Sequence, residues 1–303
     1  MEYIDNAIDA AEKFYIPETN SYSKSIEISV GLDGNSHDYA RIEIKDNCTG
    51  IKNLARLLSS VGNSTKVEER NTNGQFGFGM YSFLVLCNTM TINAKYNENH
   101  FAELVTLKAA TLDVSDTKGA EFEITTIPYT SYEPSSIPPP RVWVTLEDFT
   151  KERFKDIDMK ILRGEIEKHF ELILNRNNIK IIVIDHKRRK SDGDRIVMEC
   201  SPFDYESYEG ITYMNTLTEL EYVKSKKYST TAKLDISENP IKVYLRILTK
   251  KALDRRPVFI IKGRRIGEIS EIKTFKTFSK NQIWSNSNVT GFIDVTGIVE
   301  PDI

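Results

Sequence analysis

Alternating hydrophobic and polar residues predict a β-sheet in the first part of the chain. Residues 24–30 and 39–45 alternate on either side of a polar loop and predict the two strands of a hairpin. Helical spacing of apolar residues predicts helices near the start of the chain and at residues 54–61 and 165–174. Helices interspersed with strands favour an α+β sandwich of helices over a sheet. Its other strands are predicted at residues 89–95, 102–107, 121–127, 142–146 and 179–184.

The first predicted helix separates its polar residues from its apolar ones. Glu2, Asn6, Asp9 and Lys13 recur every three or four residues and therefore share one face. A set of apolar residues faces elsewhere and is expected to pack on the sheet: Tyr3, Ile4, Ala7, Ile8 and Ala11. The next informative segment, residues 42–51, is a predicted strand that runs into a turn and places the carboxylate of Asp46 at the strand end.

Three glycines in residues 73–83 precede a predicted helix at residues 80–86. This arrangement directs several backbone N–H groups at one point, where the helix dipole adds positive potential, and such a point holds phosphate. Glycine also lets the backbone approach the anion closely. The alternative interpretation is a tight turn between a loop and a core helix.

These three segments, in this order and spacing, resemble the GHKL ATPase superfamily. Its members include DNA gyrase B, the ninety-kilodalton heat-shock chaperones, mismatch-repair MutL, the MORC proteins and the sensor histidine kinases. The glycine segment is most similar to the chaperone pattern G-Q-F-G-x-G-x-Y-S, whereas residues 60–66 are more similar to the lid of MORC and MutL proteins. The resemblance is strong over residues 1–100 and diffuse beyond them, and it implies the GHKL, or Bergerat, fold for residues 1–185.

The resemblance implies a role for each matched residue. Glu2 matches the general base that activates water, and Asn6 matches the Mg²⁺ ligand of an ATP site. Asp46 matches the acceptor for the adenine amino group. For Asp9 a solvated helix carboxylate is an equally good interpretation. The other residues implied to line the nucleotide are Asp9, Ala10, Gly50, Lys66 in the lid at residues 62–73, Gly74, Gln75, Phe76, Gly77, Phe78 and Gly79.

The chain departs from the family pattern in three places. Cys48 stands where the adenine turn has its first glycine, and cysteine tolerates positive φ poorly, so we expect an altered or mildly strained turn. The family's Gly-Thr pair corresponds either to residues 119–120 or to residues 140–141, of which we favour the second, and neither has the threonine. Because only Met1 precedes Glu2, the first turn should fray and hydrolysis should be impaired.

Residues 186–303 are predicted to form a second domain, with the boundary at residues 185–194, a segment that is either a hairpin tip or a linker. Strand-like runs occur at residues 230–236, 241–248, 258–261 and 289–295. Residues 257–266 are similar to a strand–turn–strand of the superfamily's transducer domain, a unit of ribosomal S5-like fold. The prediction is therefore a GHKL ATP-binding domain followed by a transducer-like domain.

Composition agrees with an intracellular enzyme or switch, and we expect a cytoplasmic protein. Hydrophobic residues make up 40% and charged residues 28% of the chain, and no segment has the length of a membrane span or the form of a signal peptide. The three cysteines, Cys48, Cys87 and Cys200, are interpreted as reduced thiols because they are scattered and odd in number.

The charge balance differs between the two predicted domains. Residues 1–185 have 20 Lys/Arg and 28 Asp/Glu, whereas residues 186–303 have 21 and 16. A basic second domain could contact DNA phosphates through the Lys/Arg clusters at residues 187–190, 224–227, 250–256 and 262–265, although ordinary solvated turns are the better interpretation of any single cluster. We expect an ATP-dependent homodimer acting in DNA repair or topology. The alternatives are a heat-shock-type chaperone and an adaptor with a weak nucleotide site; a sensor kinase fits poorly.

Overall fold

The computed structural model divides the chain into two compact units. The first comprises Met1–Glu167 with Leu174–Ser201, and the second comprises Lys168–Ile173 with Pro202–Ile303. The structure describes residues 1–59, 79–96, 102–109, 124–127, 140–189, 195–225, 230–238, 240–250, 255–272 and 283–296.

A nine-stranded sheet forms the first unit, in the order β6-β5-β4-β7-β3-β2-β8-β9 with β1 on β2. Neighbouring strands are antiparallel except β2 and β8, which are parallel. The predicted hairpin is confirmed as β2 and β3. The strands are β1 (Tyr15–Ile16), β2 (Ser21–Asp33), β3 (Arg41–Asp46), β4 (Cys87–Ala94), β5 (Ala102–Lys108), β6 (Ile124–Ile127), β7 (Val142–Phe149), β8 (Asn177–Arg189) and β9 (Arg195–Glu199).

One face of this sheet is the core of the first unit. The strand registers align Ile92, Val144, Ile44, Val30 and Val183 in a row across β4, β7, β3, β2 and β8. All five side chains are buried. Because side chains alternate between the faces of a strand, the predicted alternation corresponds to this buried face.

In the described residues, five α-helices accompany the strands: α1 (Glu2–Ala11), α2 (Leu54–Ser59), α3 (Lys151–Lys155), α4 (Met159–His169) and α5 (Glu171–Leu174). The single helix predicted at residues 165–174 is therefore wrong in its bounds, since α4 and α5 divide it. Its predicted apolar face is confirmed, because Ile166, Phe170 and Ile173 are fully buried.

The helix predicted after the glycines is a 3₁₀ helix, Gly79–Val85, and not an α-helix. A 3₁₀ helix has fewer residues per turn than an α-helix, so its side chains point in other directions than an α-helix would give them. Phe83 is buried, whereas Val85 is 77% exposed. Cys87 follows at the start of β4, where it is buried.

The first unit extends beyond the predicted domain boundary. β8 passes residue 185 and pairs antiparallel with β9, so residues 185–189 and 195–199 form a hairpin of the first sheet. Cys200 is buried, and its backbone N–H donates to the carbonyl of Ile181. The division lies after Ser201 because this pairing holds the hairpin to the first sheet.

The second unit contains a five-stranded sheet in the order β10-β13-β16-β14-β15, with β11 and β12 forming a separate pair. β14 and β16 are parallel, and the other pairs are antiparallel. The predicted turn between β14 and β15 has positive φ at Lys262 and Gly263. An S5-like fold stays a prediction. The strands are β10 (Gly210–Leu217), β11 (Glu219–Ser225), β12 (Thr230–Asp235), β13 (Ile241–Leu248), β14 (Val258–Ile261), β15 (Arg264–Glu268) and β16 (Val289–Asp294).

Candidate functional site

Helix α1 contacts β2, β3 and the 3₁₀ helix, and so brings the three sequence segments together. Four of its apolar residues are at most 3% exposed: Ile4, Ala7, Ile8 and Ala11. Glu2 and Asn6 are exposed on the polar side, as the helical spacing predicts. The packing of α1 therefore orients a carboxylate and an amide away from the core.

Gly79 lies directly against these two side chains. A β-carbon at this position would lie 2.7 Å from Glu2 Oε2 and 3.9 Å from Asn6 Nδ2. The absence of a side chain thus lets the backbone approach the carboxylate and the amide. A bare backbone beside a carboxylate and a carboxamide is compatible with a site for a phosphate and its cation.

Tyr3 fixes the 3₁₀ helix to α1. The backbone N–H of Phe83 donates a hydrogen bond of 3.1 Å to Tyr3 Oη, and burial raises the pKa of Tyr3 to about 12. The hydroxyl of Tyr81 in turn donates to the carbonyl of Leu58 in α2 at 3.1 Å. Sequence reasoning placed Tyr3 only among packing residues, because its hydroxyl partner lies 80 residues away.

Asp46 is a carboxylate on the apolar face of the sheet. It lies in register with Ile28 and Val142, and Val142 pairs with Ala94 on its other side. Only 6% of Asp46 is exposed, and this burial raises the pKa of its carboxyl to about 7. Cys48 opposes that effect, since its backbone N–H donates to Asp46 Oδ1 at 2.9 Å, and interaction with its side chain also lowers the pKa of the carboxyl.

The turn after Asp46 is held by contacts with β2. Asn47 Oδ1 accepts from the N–H of Glu27 at 2.8 Å, and Asn47 Nδ2 donates to the carbonyl of Ser25 at 3.0 Å. Lys24 Nζ donates to the carbonyls of Asn47 and Cys48 at 2.6 and 3.1 Å. Sequence reasoning missed Lys24 and Asn47; the amide side chain directly after Asp46 was the only available signal.

Of the two outcomes expected at Cys48, an altered turn or a mildly strained one, the positive φ that would cause strain is absent. The non-glycine residues with positive φ in the described part of the chain are Asn20, Asp148, Asn178 and Lys262. Cys48 keeps a negative φ because the Asp46 carboxylate closes the turn through the hydrogen bond from its N–H. The turn therefore needs no glycine at this position.

Gly50 is required by a close backbone approach. A β-carbon there would overlap the carbonyl oxygen of Lys95 and lie 2.7 Å from the α-carbon of Tyr96. Lys95 follows β4 and is itself buried, at 2% exposure. The close packing of the backbone at Gly50 against the backbone at residues 95–96 thus explains this glycine.

Of the remaining predicted site residues, the structure describes only some. Asp9 is 1% exposed, which rules out the solvated-carboxylate interpretation, and Ala10 is half-buried. The lid at residues 62–73 and several nucleotide-lining predictions lie outside the described residues: Lys66, Gly74, Gln75, Phe76, Gly77 and Phe78. Their roles stay predictions.

The favoured position for the Gly-Thr pair lies beside Asp46. The N–H of Arg141 donates to the carbonyl of Asp46 at 2.6 Å, and its carbonyl accepts from Lys95 N–H at 2.8 Å. Strand β7 then pairs with β3 and β4 at the centre of the sheet. The other position, residues 119–120, lies outside the described residues.

Three of the described basic residues of the second unit are engaged with the protein. Arg264 is 1% exposed, so it cannot present its charge to DNA. Arg255 contacts Glu171 at 2.7 Å, and Arg265 contacts Glu268 at 2.9 Å. Two of the predicted clusters, at residues 250–256 and 262–265, thus offer less free positive charge than the sequence indicates. Residues 190, 226 and 227 of the other clusters lie outside the described residues.

The comparison with family models finds a match within the first unit. Residues 1–138 match the family described as histidine kinase-, DNA gyrase B- and HSP90-like ATPase. The search of curated proteins finds no match to this chain. None of the helices in the described residues has the length and apolar character needed to cross a membrane. In the same residues, no three His, Cys, Asp or Glu side chains form a metal cluster.

Proposed function

Because residues 1–138 belong to the histidine kinase-, DNA gyrase B- and HSP90-like ATPases, we propose that the chain binds ATP with Mg²⁺ and hydrolyses it slowly. The site would lie between α1, the turn after β3 and the start of the 3₁₀ helix. The observation that carries the proposal is the approach of Gly79 to Glu2 and Asn6, with a β-carbon position 2.7 Å from Glu2 Oε2.

Recognition of adenine would rest on Asp46. Its buried carboxylate can accept a hydrogen bond from the exocyclic amino group of adenine, whereas guanine presents a carbonyl at that ring position. The carboxylate is held in place by Cys48 N–H, and the turn is held by Lys24. A fixed acceptor in an apolar setting discriminates strongly, because a mispaired buried polar group costs about 1–3 kcal/mol.

Hydrolysis would use the exposed side of α1. The Glu2 carboxylate would accept a proton from the attacking water, and the Asn6 amide oxygen would hold Mg²⁺. The cation, when bound, neutralises charge on the phosphate oxygens. The backbone of Gly79 lies directly against both side chains and would face the phosphate there. The retained base and amide favour an active enzyme over a purely structural adaptor.

The nucleotide would control assembly. We propose that ATP closes the lid at residues 62–73 and favours a homodimer that acts in DNA repair or topology. The positive balance of residues 186–303, 21 Lys/Arg against 16 Asp/Glu, supports DNA contact, and the engagement of Arg255, Arg264 and Arg265 with the protein weighs against it. A chaperone-type ATPase is the second candidate, because the glycine segment follows the chaperone pattern.

Calorimetry with ATP and GTP in the presence of Mg²⁺ tests the binding site. Wild-type protein is expected to bind ATP more tightly than GTP, and Asp46→Asn should weaken ATP binding by about 1–3 kcal/mol. The matched control is Asp33→Asn, since Asp33 ends the neighbouring strand β2 at the opposite end of the strand pair. Equal affinity for the two nucleotides, or an equal effect of both variants, would reject this site.

Duplex-DNA binding at low and moderate salt tests the downstream role. Contacts with phosphates release counterions, so the affinity should fall steeply as salt rises. Fluorescence anisotropy with and without a non-hydrolysable ATP analogue also shows whether nucleotide changes the affinity for DNA. Absence of DNA binding at low salt would reject the DNA role and leave the chaperone or adaptor candidates, while ATP binding would be unaffected.

A further inference from the structure

The five-stranded sheet of the second unit has two edge strands of opposite character. β15 has five residues, includes Arg264, Arg265 and Glu268, and pairs irregularly with β14. β10 has eight residues, none of them charged, and a regular register with β13. Short length, charge and irregularity are the features that keep an edge strand from pairing with another chain. β15 has all three of these features, and β10 has none of them.

The exposure of β10 matches an unprotected edge. Six consecutive residues of this strand, 211–216, are exposed, including Ile211 at 71%, Tyr213 at 50% and Met214 at 73%. Ile247 is opposite Ile211 on β13 and is 52% exposed. Within the described residues, β13 is the only strand that pairs with β10. Among the described residues, therefore, no strand covers the outer side of β10, an apolar patch lies beside it, and the outward N–H of Thr216 donates within its own strand, to Asn215 Oδ1 at 2.8 Å.

The sequence of β10 is its own complement. In an antiparallel pair related by a twofold axis perpendicular to the sheet at Met214, Ile211 lies opposite Leu217 and Thr212 lies opposite Thr216. Tyr213 lies opposite Asn215, and these two side chains already hydrogen-bond along the strand at 3.1 Å. Apolar residues therefore meet apolar ones, polar residues meet polar ones, and no charge is buried.

We propose that β10 pairs with β10 of a second copy of this chain and continues the sheet across a twofold axis at Met214. A second copy fits better than an unrelated peptide, because the self-complementary pattern of β10 satisfies both partners at once. The interface lies in the second unit and needs no nucleotide, so it goes beyond the proposed ATP-dependent dimer. A pair of such short strands is smaller than a standard interface, and we expect a dissociation constant of about micromolar.

Disulfide trapping of the full chain tests the pairing. The three native cysteines are all buried, so Met214→Cys introduces an exposed thiol. Residues opposite each other on a strand pair have α-carbons about 4.5–5.5 Å apart, within the range that a disulfide bridges. Met214→Cys is expected to form a covalent dimer under mild oxidation. Ile266→Cys on the other edge and Ile247→Cys on the face, 59% and 52% exposed at the native residues, are the matched controls.

Sedimentation without nucleotide gives the second readout. The wild-type chain should self-associate, and Met214→Lys should weaken association at least tenfold while Ile266→Lys has no effect. Circular dichroism and ATP affinity, measured on the same samples, separate a folding defect or a failed nucleotide site from a lost interface. A monomeric wild type at about 100 µM, or trapping of the two control variants as efficient as that of Met214→Cys, would overturn the proposal; if Met214→Lys fails to fold, the trapping result decides it.

Discussion

The backbone N–H of Cys48 donates to Asp46 Oδ1 at 2.9 Å, and interaction with the Cys48 side chain also lowers the pKa of the Asp46 carboxyl. Cys48, two positions along the chain, thus stabilises the ionised carboxylate of Asp46, which burial on the apolar face of the sheet destabilises. Burial is still the larger effect, and it raises the pKa of Asp46 to about 7. Ionisation of Asp46 therefore lowers the stability of the folded protein.

The first prediction concerns stability against pH. The folded-state pKa of Asp46 lies above its ordinary value of 3.8, so ionisation opposes folding, and its contribution to the free energy of unfolding falls between pH 4 and 7. Asp46→Asn removes this pH-dependent loss of stability. At pH 8 the free energy of unfolding of the variant should therefore exceed that of wild type, by about 4 kcal/mol at most. Urea denaturation at pH 5 and pH 8 measures it. The difference in free energy of unfolding between Asp46→Asn and wild type should be larger at pH 8 than at pH 5. An equal difference at the two pH values would contradict a raised pKa of Asp46.

The second prediction concerns proton release on binding. Adenine should favour the ionised carboxylate, so ATP affinity should fall as pH drops below about 7. Cys48→Ala removes the thiol donor and should move this midpoint upward by ~0.5–1 pH unit, because a weak S–H donor contributes about 1 kcal/mol. Cys48→Ser keeps a donor and serves as the control. Identical pH profiles in all three proteins would show that the thiol has no influence on Asp46.

The sequence predicted the positions of the elements around the candidate site better than it predicted the packing between them. Spacing along one chain was sufficient for α1, β3 and the strand-end position of Asp46, because periodicity reports which residues share a face. It could not reveal that Asp46 lies in register with Ile28 and Val142, since register depends on pairing between distant segments. The burial of Asp9 and the bonds from Lys24 were missed for the same reason.

Two elements show other limits of pattern reading. The 3₁₀ helix at Gly79–Val85 was predicted as a helix, but the choice between 3₁₀ and α depends on tertiary contacts such as the bond between Phe83 and Tyr3. Strand β10 was not predicted, because its residues are exposed on both faces and so the usual contrast between a buried and a solvated side is missing.

The third prediction concerns the base. Glu2→Gln should keep ATP affinity near wild type and reduce turnover by about 10²–10⁴-fold, because the amide cannot accept a proton from water. Asp5→Asn is the control, since Asp5 is the other acidic residue in the first turn of α1 and interacts similarly with the helix dipole. Phosphate release at saturating ATP measures turnover, and calorimetry measures affinity. Equal turnover in wild type and Glu2→Gln would assign the base elsewhere.

The last prediction concerns the approach of Gly79 to Glu2. In Gly79→Ala the new methyl group would lie 2.7 Å from Glu2 Oε2, so the carboxylate must move. Glu2 is exposed and can move at little cost, so the free energy of unfolding should change by less than ~1 kcal/mol. Turnover should nevertheless fall about 10²-fold, since a displacement of roughly 1 Å at a catalytic group has that effect.

Gly164→Ala is the matched control for this substitution. Gly164 lies in α4, and a β-carbon there would meet nothing within 4 Å, so the variant should keep full turnover. It should also be more stable by about 0.5–1 kcal/mol, because alanine loses less conformational entropy than glycine when a helix forms. If Gly79→Ala hydrolyses ATP as fast as Gly164→Ala, the position of Glu2 beside Gly79 does not matter for catalysis, and the proposed arrangement of base and phosphate cradle is wrong.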